Sequence, residues 1–207
     1  TYQEIMTETS FGDTHTSKHT VADWLSYCRE VTTAWCEKHQ SERKLGGEGV
    51  VVEIDETKIG KRKYNRGRLV EGSWIIGMVE IIPGDVSLRG GEFRMEICPD
   101  NCRNADTLLP IIKKHVEIGT IICSDEWRAY SRLTEHGYEH FTVNHSKEFV
   151  NHETGANTQT IESLWGKVKR QLPRGIPKDH LQSHMYEFLW RRHVKNNNLN
   201  AFDFFLD

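Results

Sequence analysis

Three acids in this chain stand where side chains from distant segments can meet. Asp55 follows the apolar run at 50–54, Asp125 follows TIICS, and Glu162 lies in the first turns of an amphipathic segment at 158–171. A carboxylate at the end of a buried strand is costly unless something positive pairs with it. Three carboxylates within about 4–6 Å of one another raise each other's pKa. Two divalent cations about 3.5–4 Å apart remove that repulsion, one activating a water or a 3′-hydroxyl and the other stabilising the leaving oxygen of an in-line displacement at phosphorus. Oxygen-only donors suit Mg²⁺ or Mn²⁺ rather than Zn²⁺. Taken singly, each acid is as readily a cap or turn residue. Glu56 and Glu126 sit beside the favoured acids, and strand alternation puts Glu53 on the Asp55 face as a second candidate.

Basic clusters flank these acids. Residues 58–68 carry Lys58, Lys61, Arg62, Lys63, Arg66 and Arg68 with no acid among them. Lys167, Lys169 and Arg170 follow Glu162, and Lys169, seven residues on, shares its helical face. His145, Lys147 and His152 stand in the polar loop before that helix. Beside a metal site, such groups are placed to hold phosphates. Tyr64 can stack on an unpaired base or pack, whereas Trp127 and Trp165 read as core anchors.

The formal net charge of −3 does not by itself mark a nucleic-acid binder, so the local distribution carries the argument. A chain of 207 residues fits one domain, or one domain with an appendage. Five scattered cysteines argue against a disulfide framework and for a reducing compartment. Cys98 and Cys102 frame CPDNC without a second pair to complete a zinc site, and read as ordinary thiols. No segment reaches 18 apolar residues, so no membrane span and no membrane partner are expected. The start at Thr1 rather than Met implies a fragment, with an amino-terminal module ahead of it.

The elements that must position the acids follow from periodicity. Val21, Trp24, Leu25, Cys28, Val31, Trp35 and Cys36 mark a helix in 18–39, with Thr20 a candidate cap and Asp23 three residues on. It reads equally as a packing appendage and as the last helix of a DNA-binding helix-turn-helix. After the Gly-rich stretch at 41–49, strands are expected at 50–55, 73–82 and 86–97. A turn at Pro83–Asp85 joins the second and third, and another falls within 60–72. A helix at 105–117, capped by Asn104 or Asp106, precedes a strand ending at Asp125. A helix at 127–136, a strand at 138–143 and helices at 158–171 and 178–195 complete the series. The expectation is an α/β protein with a mixed five-stranded sheet and helices on its faces. Residues 1–45 form an N-terminal helical segment, and 46–207 a catalytic domain ending in a helix.

The stretches EIDETKIGKRKYNRGR, GTIICSDEWRAY, NHSKEFVN and GANTQTIESLWGKVKR resemble the Merlin group of cut-and-paste DNA transposases and the related bacterial insertion-sequence transposases with an ISXO2-like domain. The likeness spans roughly residues 20–195, and the 36 residues at 126–161 match the spacing of the Asp-Asp-Glu pattern in that group. It implies an RNase H-like fold and two Mg²⁺ (or Mn²⁺) ions held by Asp55, Asp125 and Glu162. It further implies cleavage at terminal inverted repeats and transfer of the 3′-hydroxyl into target DNA. The implied partners are double-stranded DNA, as transposon ends and target, and further copies of the chain in a dimer or larger assembly; no small-molecule substrate is implied. Residues 1–45 become the remnant of a helix-turn-helix region. Contact with chromosomal DNA implies the nucleus in a eukaryote, or the nucleoid or cytoplasm in a bacterium. One departure stands out: the family usually has His-Thr-Asn ahead of the Glu, and here Asn157, Thr158 and Gln159 occupy those places. Asn157 cannot titrate as His does. A structure-selective nuclease on the same fold and a catalytically silent, domesticated DNA-binding protein are the alternatives.

Overall fold

A computed structural model describes residues 2–60, 72–84, 90–143, 157–173 and 175–206. The first long helix, α2 (Lys18–Glu42), follows a short α1 (Tyr2–Thr9). Its cap is Ser17, whose hydroxyl accepts from the Thr20 N–H, so Thr20 lies inside the first turn instead of capping it. Strands β1 (Val51–Ile59) and β3 (Phe93–Ile97) both run antiparallel to β2 (Ser73–Glu80) between them. Then come α3 (Ala105–His115), capped by Asn104, β4 (Ile121–Asp125) and β5 (Glu139–Val143). Helices α4 (Gln159–Gln171), α5 (Lys178–Asn196) and α6 (Ala201–Leu206) end the chain.

The sheet order is β3-β2-β1-β4-β5, with β4 parallel to both β1 and β5. This is a mixed five-stranded α/β sheet flanked by helices, consistent with an RNase H-like fold. The parallel pairs need crossovers, which α3 and the later turns supply.

Alternation along β1 explains the position of the acids. Val52 and Ile54 point to one face, where they join Ile76, Met78, Ile122, Leu108 and Ile112 in a core under α3. The opposite face carries Ile75, Val79 and Phe93, packed on Ile161, Leu164, Trp165 and Val168 of α4 and on Leu189 of α5. Glu53, Asp55 and Thr57 share this second face by strand parity. Each buried Leu or Ile contributes about 1.5–3 kcal/mol, so both faces are firmly held. Gly77, paired with Asp55, is required by close approach: a Cβ there would stand 2.5 Å from Cζ2 of Trp165.

Three expectations change. The segment 127–136 is two short 3₁₀ turns, Arg128–Tyr130 and Thr134–His136, in place of one helix. Its buried side chains are Ala129, Tyr130 and Leu133, and Gly137 at φ 84° ends the segment. The first strand runs on to Ile59, four residues past Asp55, because β2 pairs with it as far as Ser73. The third strand begins at Phe93, and residues 85–89 lie outside the described set. The five cysteines are free, Cys98 buried and Cys102 exposed.

The N-terminal segment is packed on the body. Helix α2 lies along α5, with Cys36 in the core and its thiol donating to the Tyr186 carbonyl at 3.3 Å. Leu45, fully buried, bridges to the segment after α3 through bonds with His115 and Glu117.

Candidate active site

The parallel pairing Val51↔Ile121, Val52↔Ile122, Glu53↔Cys123 stops at that third pair. Continued by two residues, the same register sets Asp125 abreast of Asp55 on one sheet face, with parallel strands about 4.8 Å apart. The ladder between the two strands thus ends just before the acids. Asp125 is oriented by the Trp127 N–H, which donates to its Oδ1 at 3.1 Å.

Glu162 lies in the first turn of α4 and is exposed. Thr158 donates its hydroxyl proton to Glu162 Oε1 at 3.1 Å. Helix α4 has no side-chain cap from Thr158; its cap comes from the sheet. Glu53, 1% exposed, accepts the Ile161 N–H on Oε2 at 2.9 Å. Burial pushes Glu53 up to about 7 against the hydrogen bonds from Ile161 and Thr160, and Glu162 adds to the rise. Glu53 therefore anchors α4, a role the alternation argument located without naming.

Burial, with the Asp125 and Glu162 charges behind it, pushes Asp55 up to about 6, against a hydrogen bond from the Glu56 backbone. The Trp165 indole N–H, buried without a hydrogen bond of ordinary geometry, lies close enough to Asp55 to oppose that rise. On the other sheet face, burial and then the charges of Asp55 and Asp125 push Glu56 up to about 8. Arg103 answers Glu56 at 3.6 Å, its guanidinium held between Trp74 and Trp127 at 4.0 and 4.6 Å from the ring centroids. Nothing in the local sequence marks this stack, because its two rings come from segments 53 residues apart.

The structure brings Asp55, Asp125 and Glu162 into mutual electrostatic reach without gathering them around one point. Among the described residues, the group whose ligand atoms all lie within 4.8 Å of one another is instead His39, Glu92 and His193. The donors of the three acids are all oxygens, as hard divalent cations require.

The predicted phosphate contacts separate into groups. Lys58 faces away from Asp55 by parity, its ammonium 5.6 Å from the Trp74 ring centroid. Lys167 is half-buried, and Lys169 and Arg170 are exposed on α4. Lys61, Arg62, Lys63, Tyr64, Arg66, Arg68, His145, Lys147 and His152 lie outside the described residues. Trp165 is a core anchor, edge-on to Phe93 at 5.8 Å.

The model of the ISXO2-like transposase domain matches residues 44–193. This chain belongs to that family. The transposase domain as matched includes all five strands, α3, α4, most of α5 and the three acids. An uncharacterized transposase-like protein of Haemophilus influenzae is 37% identical over 87 residues, covering 41% of this chain and 69% of that protein. No solved structure matches the chain. Membership makes it a transposase domain of the bacterial insertion-sequence kind, associated with transposable elements, DNA binding and divalent metal. No helix among the described residues is long and apolar enough to cross a membrane.

Proposed function

We propose that this transposase domain cleaves a phosphodiester at transposon ends and joins the freed 3′-hydroxyl to target DNA, with Asp55, Asp125 and Glu162 as its metal-holding carboxylates. What supports this reading is that the charges of Asp125 and Glu162, from a second strand and from the first turn of α4, both reach Asp55 and raise it. Asp55 titrates high because burial and its like-charged neighbours disfavour its ionised form; an oxygen-only cluster under such repulsion is suited to hard divalent cations. When bound, Mg²⁺ or Mn²⁺ supplies Lewis-acid activation and charge neutralisation at phosphorus.

The chain's own residues supply position. The Trp127 N–H fixes one Asp125 oxygen. Thr158 holds one oxygen of Glu162. Glu53 fixes the register of α4 against β1, and so the approach of Glu162 to Asp55. Lys169, on the Glu162 face two turns along, is placed to meet a flanking phosphate. Asn157 stands where the family has His and does no proton transfer; its carbonyl accepts the Gln159 N–H at 3.3 Å. The domain works on double-stranded DNA in a dimer or larger assembly that pairs two ends.

The test is incubation with pre-cut and uncut DNA ends in Mg²⁺ or Mn²⁺, reading nicks and joined products. Joined products from the unaltered chain, with both activities lost in Asp125→Asn, are expected. Nicks without joining identify a nuclease, and neither product, with DNA still bound, identifies a silent DNA-binding protein.

A further inference from the structure

A second constellation lies away from the carboxylates, where α2 and α5 cross the β3 edge. His39 Nε2 is 3.2 Å from Glu92 Oε2, and His193 Nδ1 is 3.7 Å from Glu92 Oε1. The ligand atoms of all three lie within 4.8 Å of one another. Tetrahedral Zn²⁺, with bonds of about 2.0–2.2 Å, sets its ligands about 3.3 Å apart, so the cluster is close to closing on an ion. His193 Nδ1 is buried without a hydrogen-bond partner. A buried ring nitrogen left so is costly unless something fills its lone pair.

The surroundings match those of a ligated carboxylate and a pair of ligated imidazoles. Arg94, itself buried, donates to Glu92 Oε2 at 2.6 Å and fixes the carboxylate. Trp35 stacks on His39 at 4.6 Å and tilts against His193 at 4.7 Å; Phe204 of α6 stacks on His193 at 5.7 Å. Hydrogen-bonded ligands inside an apolar shell are a common second layer of metal sites. Beside the cluster is a cavity of about 750 Å³, which leaves room for a water or ligand in an open coordination position.

We propose that His39, Glu92 and His193 bind one ion of the Zn²⁺ class, which fastens α2 to the sheet edge and to α5. The donor set selects the ion. Imidazole nitrogens suit Zn²⁺ and its neighbours in the first transition row. The Arg94 charge already offsets that of Glu92, so a hard ion held mainly by charge, such as Mg²⁺, gains little here. The site is chemically distinct from the carboxylate edge and does not depend on the reading of that edge.

The experiment uses the full chain with Asp55→Asn, Asp125→Asn and Glu162→Gln together, so that the carboxylate edge binds nothing. Co²⁺ is titrated as a spectroscopic probe and then displaced with Zn²⁺. One Co²⁺ per chain is expected, with visible d–d absorption of a nitrogen-ligated ion that Zn²⁺ removes, and a raised thermal midpoint that Mg²⁺ does not reproduce. His39→Gln and His193→Gln, added singly, lower Co²⁺ affinity at least about tenfold. No d–d absorption at saturating Co²⁺, or affinity unmoved by both substitutions, overturns the proposal. Should a Gln variant fail to fold, imidazole ¹⁵N spectra of the chain with its cluster intact decide. Zn²⁺ must shift His39 Nε2 and His193 Nδ1, and unchanged resonances overturn the site.

Discussion

Two clusters of ionisable side chains in this domain handle charge in opposite ways. At the β1–β4 edge, Asp55, Asp125 and Glu162 bring like charges together, and burial raises Asp55 further. At the α2–α5 crossing, Glu92 is half-buried, but Arg94 and His39 prevail and hold it below its ordinary value. In the first cluster the neighbouring charges add to the rise of Asp55; the second carries its own counter-ion in Arg94. The edge lies between two well-packed cores, which hold the acids in place.

The comparison can be broken most directly at the edge. Asp55→Asn or Asp125→Asn is expected to lower DNA cleavage at least about 10³-fold, as the loss of several kcal/mol of charge stabilisation implies. The same Asp55→Asn change should leave the thermal midpoint equal or higher in metal-free buffer, since it removes a buried, repelled carboxylate. Scanning calorimetry beside a cleavage assay reads both, and a midpoint several degrees lower would contradict the account of repulsion.

Next in size, Trp165→Ala should destabilise the fold by about 3–5 kcal/mol, because the ring fills the space over Gly77 and packs on Phe93. Urea unfolding measures it. Glu53→Ala should cost about 1–2 kcal/mol through the lost cap on α4 and weaken cleavage, whereas Glu53→Gln, which keeps an acceptor, should retain most of both.

Changing pH sharpens the contrast between clusters. Glu53, Asp55 and Glu56 have folded pKa values raised to about 7, 6 and 8. The folded state therefore binds more protons than the unfolded chain above the ordinary carboxylate range. Without divalent ions, stability should fall as pH rises from about 5 to 8, and Glu53→Gln should flatten that slope. Glu92 and Glu96 run the other way. Burial raises both, but Arg94 and His39 overcome it at Glu92, as His115 and Lys114 do at Glu96. Their stabilisation is present above the ordinary carboxyl pKa of 4.5 and is lost as pH falls below it through the depressed folded values. Thermal midpoints taken from pH 3 to 8, with and without the Gln substitution, check both signs.

The smallest effect is expected at Lys169. Its change to Ala should leave stability unmoved, weaken DNA binding uniformly across sequences and reduce the salt slope by about 1.

How much of this was legible in the chain varies by element. Alternation in β1 put Glu53 and Asp55 on one face, whereas the place of β4 beside β1 became plain only in the fold, because β2 and β3 lie between them in the chain. Amphipathic spacing located α2, α3, α4 and α5 to within a few residues. The segment at 127–136 was misread because Trp127, Ala129, Tyr130 and Leu133 satisfy a helical pattern without filling a helical face. Helices α1 and α6 carry no buried residue and so no periodic signal. The work of Glu53 was hidden because its partner, Ile161, is 108 residues away. The His39, Glu92 and His193 group was hidden for the same reason, its members lying on α2, just ahead of β3 and on α5 without a shared motif.

The bond from Glu53 to the Ile161 amide has a consequence for how this domain tolerates change. One strand carries both Asp55 and the clamp on the helix that bears Glu162. Those two acids are thereby joined through a few atoms rather than through the long stretch of chain that separates them. Lengthening or shortening the connection between β5 and α4 should therefore leave their separation almost unaltered.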